Sequence, residues 1–335
     1  MRRVPIVAAF AAAVLLPSVA QADVTLYGKI YAELGVETFG SGTTQKEYST
    51  LDDAQNLGRL GVKFSQDIGD GLEVFGKYEF SVNAPDSTND FAMRDAHVGI
   101  RGKNASVAMG RFDGAYKITG GVNWDPFAFT SLQLAGTGGQ SAGIFNNTGF
   151  IDHAIQVQFN YAESDVRFDG TLQYAADDAP TSTTTPKDSV LAGVTFGIGS
   201  VDVIYGFAHD SVTGGTNQKF GVKVAAGDAT FMIQAENVDM GGYDPGGEGQ
   251  FLTGIVTYAI GNWLWVAEIS DYNSDYVDPL ALPDPIDSSN CAMFTFGARY
   301  YMAKNAWVVL GIRTTDSDIN TQDSSASVVG LRYDF

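Results

Sequence analysis

Basic side chains that alternate with apolar ones are the residues of this sequence best placed to do chemistry. Six side chains share this alternating position: Lys29, Arg59, Lys63, Lys77, His97 and Arg101. Successive side chains of a β-strand point to opposite faces, so these groups would face away from the apolar side. Charges fixed on one wall of a confined space select ions by their electric field, with no covalent step.

Catalysis has little support. The three histidines are His97, His153 and His209, and no zinc-protease, serine-hydrolase, Walker or paired-cysteine motif accompanies them. His153 and His209 would lie on the apolar side, which makes a membrane-embedded phospholipase the enzyme alternative. Neither histidine has a serine nucleophile context nearby. We therefore predict no catalytic residue, no metal ligand and no cofactor.

Acidic stretches leave one metal alternative open. Residues 239–248 and 271–287 are rich in carboxylates, which are the hard oxygen ligands that Ca²⁺ accepts. Neither stretch has the twelve-residue spacing of a calcium-binding loop. Divalent ions could bridge such acids to lipopolysaccharide or to a neighbouring protomer.

Short alternating strands are the elements that would position the basic residues. From residue 24 to residue 335 about sixteen segments show period-two alternation, an even number that is typical of bacterial outer-membrane barrels. Turns such as Gly199-Ser200 and Gly261-Asn262 are short, whereas connections such as 179–188 and 276–290 are long. Short turns on one rim and long loops on the other predict an all-β, transmembrane antiparallel barrel.

The last strand favours a closed barrel. Val329, Leu331, Tyr333 and Phe335 lie on one face of the final segment, and polar residues or glycine lie on the other. An apolar strand at the chain end needs a paired neighbour and a cover for its apolar face. A barrel that closes its last strand on its first, with lipid outside, provides both.

The first 22 residues have the pattern of a secretory signal peptide. A short basic start precedes an apolar run, and Ala20 and Ala22 form an Ala-x-Ala cleavage pattern. We therefore expect a signal peptide over residues 1–22 and one barrel domain over residues 23–335.

The composition excludes several classes of protein. No segment after residue 22 has the 18 or more continuous apolar residues of a membrane helix. The formal net charge of −19 argues against nucleic acid, whose phosphates attract lysine and arginine. Cys291 is the one cysteine, so no intrachain disulfide can form, and we expect an unpaired thiol in a loop.

Several stretches, in their order and spacing, resemble the general porins of the Gram-negative outer membrane, particularly the neisserial and betaproteobacterial ones. The stretches are residues 24–30, 58–64, 67–72, 94–100, 109–112 and 330–335. The resemblance implies a sixteen-stranded barrel that assembles as a homotrimer, with a pore in each protomer. It also implies Phe335 as an assembly signal for the barrel-assembly machinery, and a surrounding of outer-membrane lipid and lipopolysaccharide.

The resemblance further implies that the long third loop folds inward and narrows the pore. Residues 113–152 lack clear alternation and occupy the place of that loop. Asp113 and Asp125 would then face a basic wall at the constriction formed by the six residues named above. Arg94 matches the family motif, but its position in the alternation places it on the outward, apolar face of its strand. It must lie above the bilayer, or a β-bulge must turn it inward.

These observations predict a general diffusion channel that passes small hydrophilic solutes and ions. The acidic composition leads us to expect a slight preference for cations, set by a basic wall opposite an acidic loop. The alternatives are a channel specific for sugars or anions, a barrel phospholipase, and an adhesion barrel that acts through residues 276–290. A ladder of aromatic side chains along the lumen would favour sugars, and a ladder of arginine and lysine would favour anions.

Overall fold

The computed structural model describes ten segments of the chain. They comprise residues 22–40, 46–52, 58–82, 91–134, 150–176, 188–209, 214–239, 248–274, 290–317 and 323–335. The expected signal peptide lies outside the described residues except for Ala22. The described part of the chain holds no helix that is long and apolar enough to span a membrane.

Seventeen strands and two short helical turns make up the described structure. They are β1 (Asp23–Phe39), β2 (Lys46–Asp52), β3 (Arg59–Gly69), β4 (Leu72–Ser81), β5 (Met93–Arg101), β6 (Ala105–Asp113), helix α1 (Ala115–Ile118), a 3₁₀ turn (Gly121–Asn123), β7 (Phe150–Glu163), β8 (Val166–Ala175), β9 (Val190–Ile198), β10 (Val201–His209), β11 (Thr216–Ala226), β12 (Ala229–Asp239), β13 (Glu248–Ile260), β14 (Trp263–Ser274), β15 (Asn290–Ala303), β16 (Ala306–Ser317) and β17 (Ser324–Asp334).

The strands close into an antiparallel barrel. On one edge, β1 pairs with β17, from Lys29 opposite Asp334 to Phe39 opposite Ser324. On its other edge, β1 pairs with β3 in its first part and with β2 in its last part. Because β2 and β3 occupy the same place in the sheet, they form one interrupted strand. The barrel therefore has sixteen strands, as the sequence predicts.

Strand β2 was not predicted. The side chains of Lys46, Glu47, Tyr48 and Ser49 are all exposed, so the segment has no buried face to produce an alternating pattern. It forms because its backbone pairs with the end of β1 that extends toward the long loops.

Cys291 also differs from its predicted place. It is the second residue of β15 and is buried on the inner face of the barrel, next to Tyr272 on the neighbouring strand. The expectation of a loop-borne thiol was wrong because strand β15 begins earlier than the alternation from residue 294 suggested.

Alternation places apolar side chains on the outer surface. Leu26 is 62% exposed and Leu331 is 53% exposed, and both lie on strands that pair with each other at the closure. Connections of two or three residues, such as 70–71 and 102–104, lie on one rim, and the long connections lie on the other. Short turns mark the periplasmic rim of this class of barrel and long loops mark the extracellular rim.

The third long connection folds into the barrel. Its described part, residues 114–134, includes α1 and the 3₁₀ turn. Phe127, Leu132 and Leu134 are fully buried and belong to one apolar cluster with Tyr31 and Val309 of the inner wall. The predicted inward third loop is confirmed.

The barrel closes through a tight contact between Gly28 and Phe335. The backbone N–H of Gly28 donates to the carbonyl of Phe335 at 3.0 Å, and the N–H of Phe335 donates back at 2.9 Å. A Cβ on residue 28 would lie 2.5 Å from the Phe335 ring and 2.8 Å from the carbonyl oxygen of Arg59. Glycine is required here because three strands meet at this point.

We predict that Gly28→Ala speeds unfolding. Overpacking of a tight contact costs about 1–3 kcal/mol of stability. On heating in detergent, the variant should therefore convert several-fold faster from the folded band to the unfolded band on a denaturing gel. Gly254→Ala is the matched control, because Gly254 also lies on an outer strand face and a Cβ there would meet only Ile269 at 3.4 Å. Equal unfolding rates for the two variants would contradict the role assigned to Gly28.

Candidate pore constriction

Buried hydrogen bonds fasten the inward loop to the barrel wall. The Glu33 carboxylate of β1 accepts from the backbone N–H of Ser131 at 3.1 Å and also from the Ser131 hydroxyl. It accepts from the Tyr31 hydroxyl at 2.6 Å as well. Gln234 of β12 accepts from the backbone N–H of Gly121 at 2.9 Å. The loop is therefore held from two sides of the lumen.

The two carboxylates predicted for the loop accept hydrogen bonds from groups of the loop. Asp125 is 4% exposed, and its oxygens accept from the backbone N–H of Phe127 at 2.6 Å and of Leu134 at 3.4 Å. Asp113, at the end of β6, accepts from the ammonium of Lys117 in α1. Both carboxylates border the lumen, but each is engaged by a partner within or beside the loop.

The loop borders a cavity of about 520 Å³ that lies toward the periplasmic rim. Six basic side chains line this cavity, namely Lys29, Arg59, Lys117, Lys223, Arg299 and Arg332. Its acidic lining consists of Asp113 and Asp125. The loop adds an apolar surface that includes Ile118, Val122 and Phe129. At this cavity, basic side chains of the barrel wall therefore face a loop surface that is largely apolar.

Four of these cations form a continuous wall, which we call the cationic wall. Arg299 of β15 and Arg332 of β17 lie over the ring of Trp307 on the strand between them, at 4.5 and 5.2 Å. Strand β1 pairs with β17, and its Lys29 lies directly opposite Arg59 of β3. The aromatic ring stabilises two guanidinium groups that face the lumen.

Behind Arg59 a buried carboxylate balances several cations. Glu79 of β4 lies 3.6 Å from Arg59, 3.3 Å from Lys77 and 3.3 Å from Arg94. The hydroxyl of Tyr27 donates to it at 2.8 Å. The Glu79 side chain is only 4% exposed, so these groups cover it from solvent.

A β-bulge accounts for Arg94. The register between β4 and β5 shifts between Glu79 and Phe80, so Asp95 pairs with Glu79 and Met93 pairs with Phe80. Arg94 has no cross-strand partner and turns inward to Glu79. Of the two placements predicted for Arg94, the bulge is confirmed.

A second register shift turns Arg111 toward the loop. It lies between Gly110 and Phe112 on β6, and the guanidinium of Arg111 pairs with Asp152. The ring of Phe150 is then surrounded by three cations, since Arg94, Arg111 and Lys117 lie 5.1, 4.8 and 4.2 Å from its centroid. Basic groups therefore continue from the cavity toward the extracellular side of the loop.

The remaining predicted residues do not line the cavity. Lys77 and His97 both contact Asp95, at 2.8 and 2.6 Å, beside the cavity. Lys63 lies 4.7 Å over the Tyr27 ring, closer to the periplasmic rim. Arg101 pairs with Glu73 at 2.7 Å near a short turn, and its side chain is 48% exposed.

Sequence reasoning missed four lining cations, which are Lys117, Lys223, Arg299 and Arg332. Arg299 and Arg332 carry the expected signal, because each alternates with outward apolar residues a few positions from a strand end. Their nearness to Lys29 depends on the closure of the barrel, which the local pattern does not reveal.

The acidic stretches considered for Ca²⁺ lie mostly outside the described residues. Within the described segments, no group of three or more histidine, cysteine or acidic side chains is arranged to hold a metal ion.

The comparisons with known proteins agree with this geometry. A model of the Gram-negative porin family matches residues 8–320. The chain belongs to this family. It is an outer-membrane β-barrel of Gram-negative type. The resemblance stated from the sequence is confirmed.

Neisserial proteins are among the curated relatives of this porin. Major outer membrane protein P.IB of Neisseria meningitidis serogroup B / serotype 15 (strain H44/76) is 34% identical over 116 residues, which are 33% of this chain and 34% of that protein. Major outer membrane protein P.IB of Neisseria gonorrhoeae is 28% identical over 172 residues, which are 49% of this chain and 46% of that protein. The matches thus span one third to just under one half of these relatives.

Solved structures share the fold over nearly the whole porin. An anion-selective porin from Comamonas acidovorans superposes with a TM-score of 0.68 at 16% identity, covering 94% of this chain and 100% of that chain. Outer-membrane expressed OmpT of Vibrio cholerae superposes with a TM-score of 0.67 at 16% identity, covering 96% of this chain and 99% of that chain. At this identity the likeness shows the architecture.

We predict that Glu33→Ala loosens the inward loop. The change removes the acceptor shared by Ser131 and Tyr31, so single-channel currents in a planar bilayer should show more frequent closures and larger open-state noise. Glu37→Ala is the matched control, four residues further along the same strand face and away from the loop. Equally quiet currents from both variants would contradict the anchoring role.

Proposed function

We propose that this porin is a diffusion channel for small hydrophilic solutes whose constriction favours anions. The observation that carries the proposal is the cavity beside the inward loop, which six basic side chains and two carboxylates line. One of the six, Lys117, pairs with Asp113, and loop backbone N–H groups engage Asp125, so five basic side chains remain outside these pairs. Solute passage needs no covalent chemistry, because the field of fixed charges in a confined passage sets the selectivity.

The local charge outweighs the acidic composition. Much of the formal charge of −19 belongs to segments remote from the constriction, and salt screens exposed charges beyond about 8–10 Å. Glu79 and Asp202, which pair with the lining cations Arg59 and Lys223, have side chains that are 4% exposed, whereas Arg59 and Lys223 are 17% and 34% exposed. Asp334 pairs with Arg332 of the wall at 2.7 Å and is 38% exposed. Because two of these three carboxylates are more buried than their cations, we propose a preference for anions in place of the expected slight preference for cations.

The aromatic residues support anions over sugars. Tyr31 is fully buried beneath the loop, and Trp307 lies under two guanidinium groups. Neither ring offers a free face on which a sugar could slide. Phe129 and Trp124 line the cavity, and Arg59 and Lys223 lie 5.5 and 5.9 Å from the centroids of these two rings. Basic groups instead continue past the loop to Arg94 and Arg111, which supports an anion-specific channel as the second candidate.

The phospholipase alternative has weaker support. His209 ends β10 and His153 lies near the start of β7, both at the extracellular ends of their strands and away from the cationic wall. Hydrolysis of phospholipid by the purified protein would bring this alternative forward.

Assembly and export stay predictions that family membership supports. They comprise the homotrimer, recognition of Phe335 by the barrel-assembly machinery, and the signal peptide over residues 1–22. Triplet steps of conductance on insertion into a bilayer would support the trimer.

We predict that the wild-type porin gives an anion-selective reversal potential in a planar bilayer with a KCl gradient. Arg299→Gln combined with Lys29→Gln should lower the ratio of chloride to potassium permeability by about twofold to tenfold, since each lumenal charge contributes a fraction of a kcal/mol to about 1 kcal/mol.

Arg101→Gln is the control for this prediction, because Arg101 pairs with Glu73 near the periplasmic rim and does not line the cavity. A cation-selective wild type, or an equal effect of the control, would contradict the proposal.

A further inference from the structure

The cavity beside the inward loop has an apolar side as well as a basic one. Five half-buried apolar side chains line it, and we call them the apolar ledge. They are Ile118, Val122, Pro126 and Phe129 of the loop and Leu264 of β14. Apolar surface that stays accessible to water is unfavourable by itself, and such surface commonly marks a binding site. The ledge is therefore a candidate contact for the apolar part of a solute.

Lining cations lie directly beside the apolar ledge at two places. The Arg59 guanidinium lies 5.5 Å from the centroid of the Phe129 ring. On the barrel wall, Leu264 is the direct cross-strand partner of Arg299. A solute that carries an apolar group next to a negative charge could therefore contact both kinds of surface at once.

Arg299 is the lining cation best placed to bind the charge of such a solute. Its guanidinium lies over the Trp307 ring at 4.5 Å, and its Nε has no hydrogen-bond partner among the described residues. A guanidinium offers N–H donors in a planar fork that matches the two oxygens of a carboxylate. The geometry thus favours a carboxylate beside the ledge.

The loop backbone presents the Phe129 ring to the cavity. Phe129 has a φ of 64°, in the left-handed region that aromatic residues rarely adopt. Its N–H donates to the Gln133 side-chain oxygen at 2.8 Å, and Phe127 nearby is fully buried. An unfavourable backbone conformation persists where the surrounding structure fixes it, and it is typical of functional sites. The exposed position of Phe129 is therefore imposed by the fold of the loop.

The lining is poorly suited to sugars and gains little from inorganic anions. Among the described residues that line the cavity, the amide and hydroxyl side chains are those of Asn123 and Thr257. The Asn123 amide N–H already donates to the carbonyl of Ile118. Sugar hydroxyl groups would lose water here without matching partners. Chloride has no apolar surface to bury, so it uses the cations alone.

We propose that the constriction binds aromatic carboxylates in preference to hydrophilic carboxylates of the same size. The carboxylate contacts Arg299 or Arg59, and the ring lies on the apolar ledge. The cavity volume of about 520 Å³ lies within the range of roughly 300–1,000 Å³ that is usual for small-molecule sites. This preference rests on the anion selectivity proposed above, and it names the class of anion.

Block of the chloride current through single channels of the full mature porin tests the preference in a planar bilayer. Benzoate and shikimate are the probes, because each is a six-membered ring with one carboxylate and shikimate carries hydroxyl groups where benzoate is apolar. Both are ionised at neutral pH. Benzoate should halve the chloride current at a concentration at least about fivefold lower than shikimate does, because only benzoate gains by burying its ring.

Two variants remove parts of the apolar ledge. Phe129→Asn removes the ring and keeps a residue type that tolerates the left-handed backbone. Leu264→Thr removes apolar surface from the wall with a residue that suits a strand, and it leaves the loop sequence unchanged. Each should raise the half-blocking concentration of benzoate by about threefold to tenfold and leave that of shikimate within about twofold. If Phe129→Asn alters the conductance in KCl alone, Leu264→Thr decides the outcome.

Phe75→Asn is the matched control. Phe75 of β4 is also a half-buried lumenal aromatic residue with an arginine over its ring, Arg101 at 5.1 Å. It does not belong to the described lining of the cavity. Both probes should block this variant as they block the wild type.

Equal half-blocking concentrations of benzoate and shikimate in an anion-selective wild type would overturn the preference for aromatic carboxylates and leave the proposed anion selectivity standing. An effect of Phe75→Asn as large as that of the two ledge variants would overturn it as well. A cation-selective wild type in KCl would overturn the proposed function, and the preference for aromatic carboxylates with it.

Discussion

The pairing of β1 with β17 is the interaction on which the rest of this structure depends. In a membrane every backbone N–H and carbonyl group must find a partner within the protein, so an open sheet edge is not tolerated. Gly28 and Phe335 exchange two backbone hydrogen bonds at the closure, and the absence of a Cβ at residue 28 allows this approach. Closure creates the enclosed lumen, and only a lumen allows residues 114–134 to fold inward away from lipid.

Closure also assembles the charged wall. Lys29 near the start of the chain and Arg332 near its end become neighbours only because the first and last strands pair. The loop then determines which charges solutes meet, because Asp125 binds backbone N–H groups of the loop and Asp113 binds Lys117. Both lining acids are engaged in structure, and six basic residues against two acids line the cavity.

The strand alternation and the apolar last strand were enough to predict the barrel, and the resemblance to the porin family added the inward third loop. The alternation of Arg94 with outward residues left a bulge as one of two explanations, and the register between β4 and β5 contains that bulge. Local patterns failed where the partner is distant in sequence. The hydrogen bond from Ser131 to Glu33, and the meeting of Arg299, Arg332 and Lys29, depend on closure. Exposed β2 had no alternation to detect.

The central claim is that cations, and not the loop carboxylates, determine which ions occupy the constriction. Anomalous diffraction from crystals soaked in bromide, and in parallel from crystals soaked in rubidium, tests it directly. We predict bromide peaks along the cationic wall, within contact of Arg299, Arg332 or Lys29, and no rubidium in the cavity. Rubidium bound at Asp113 or Asp125, with the wall free of bromide, would contradict the account.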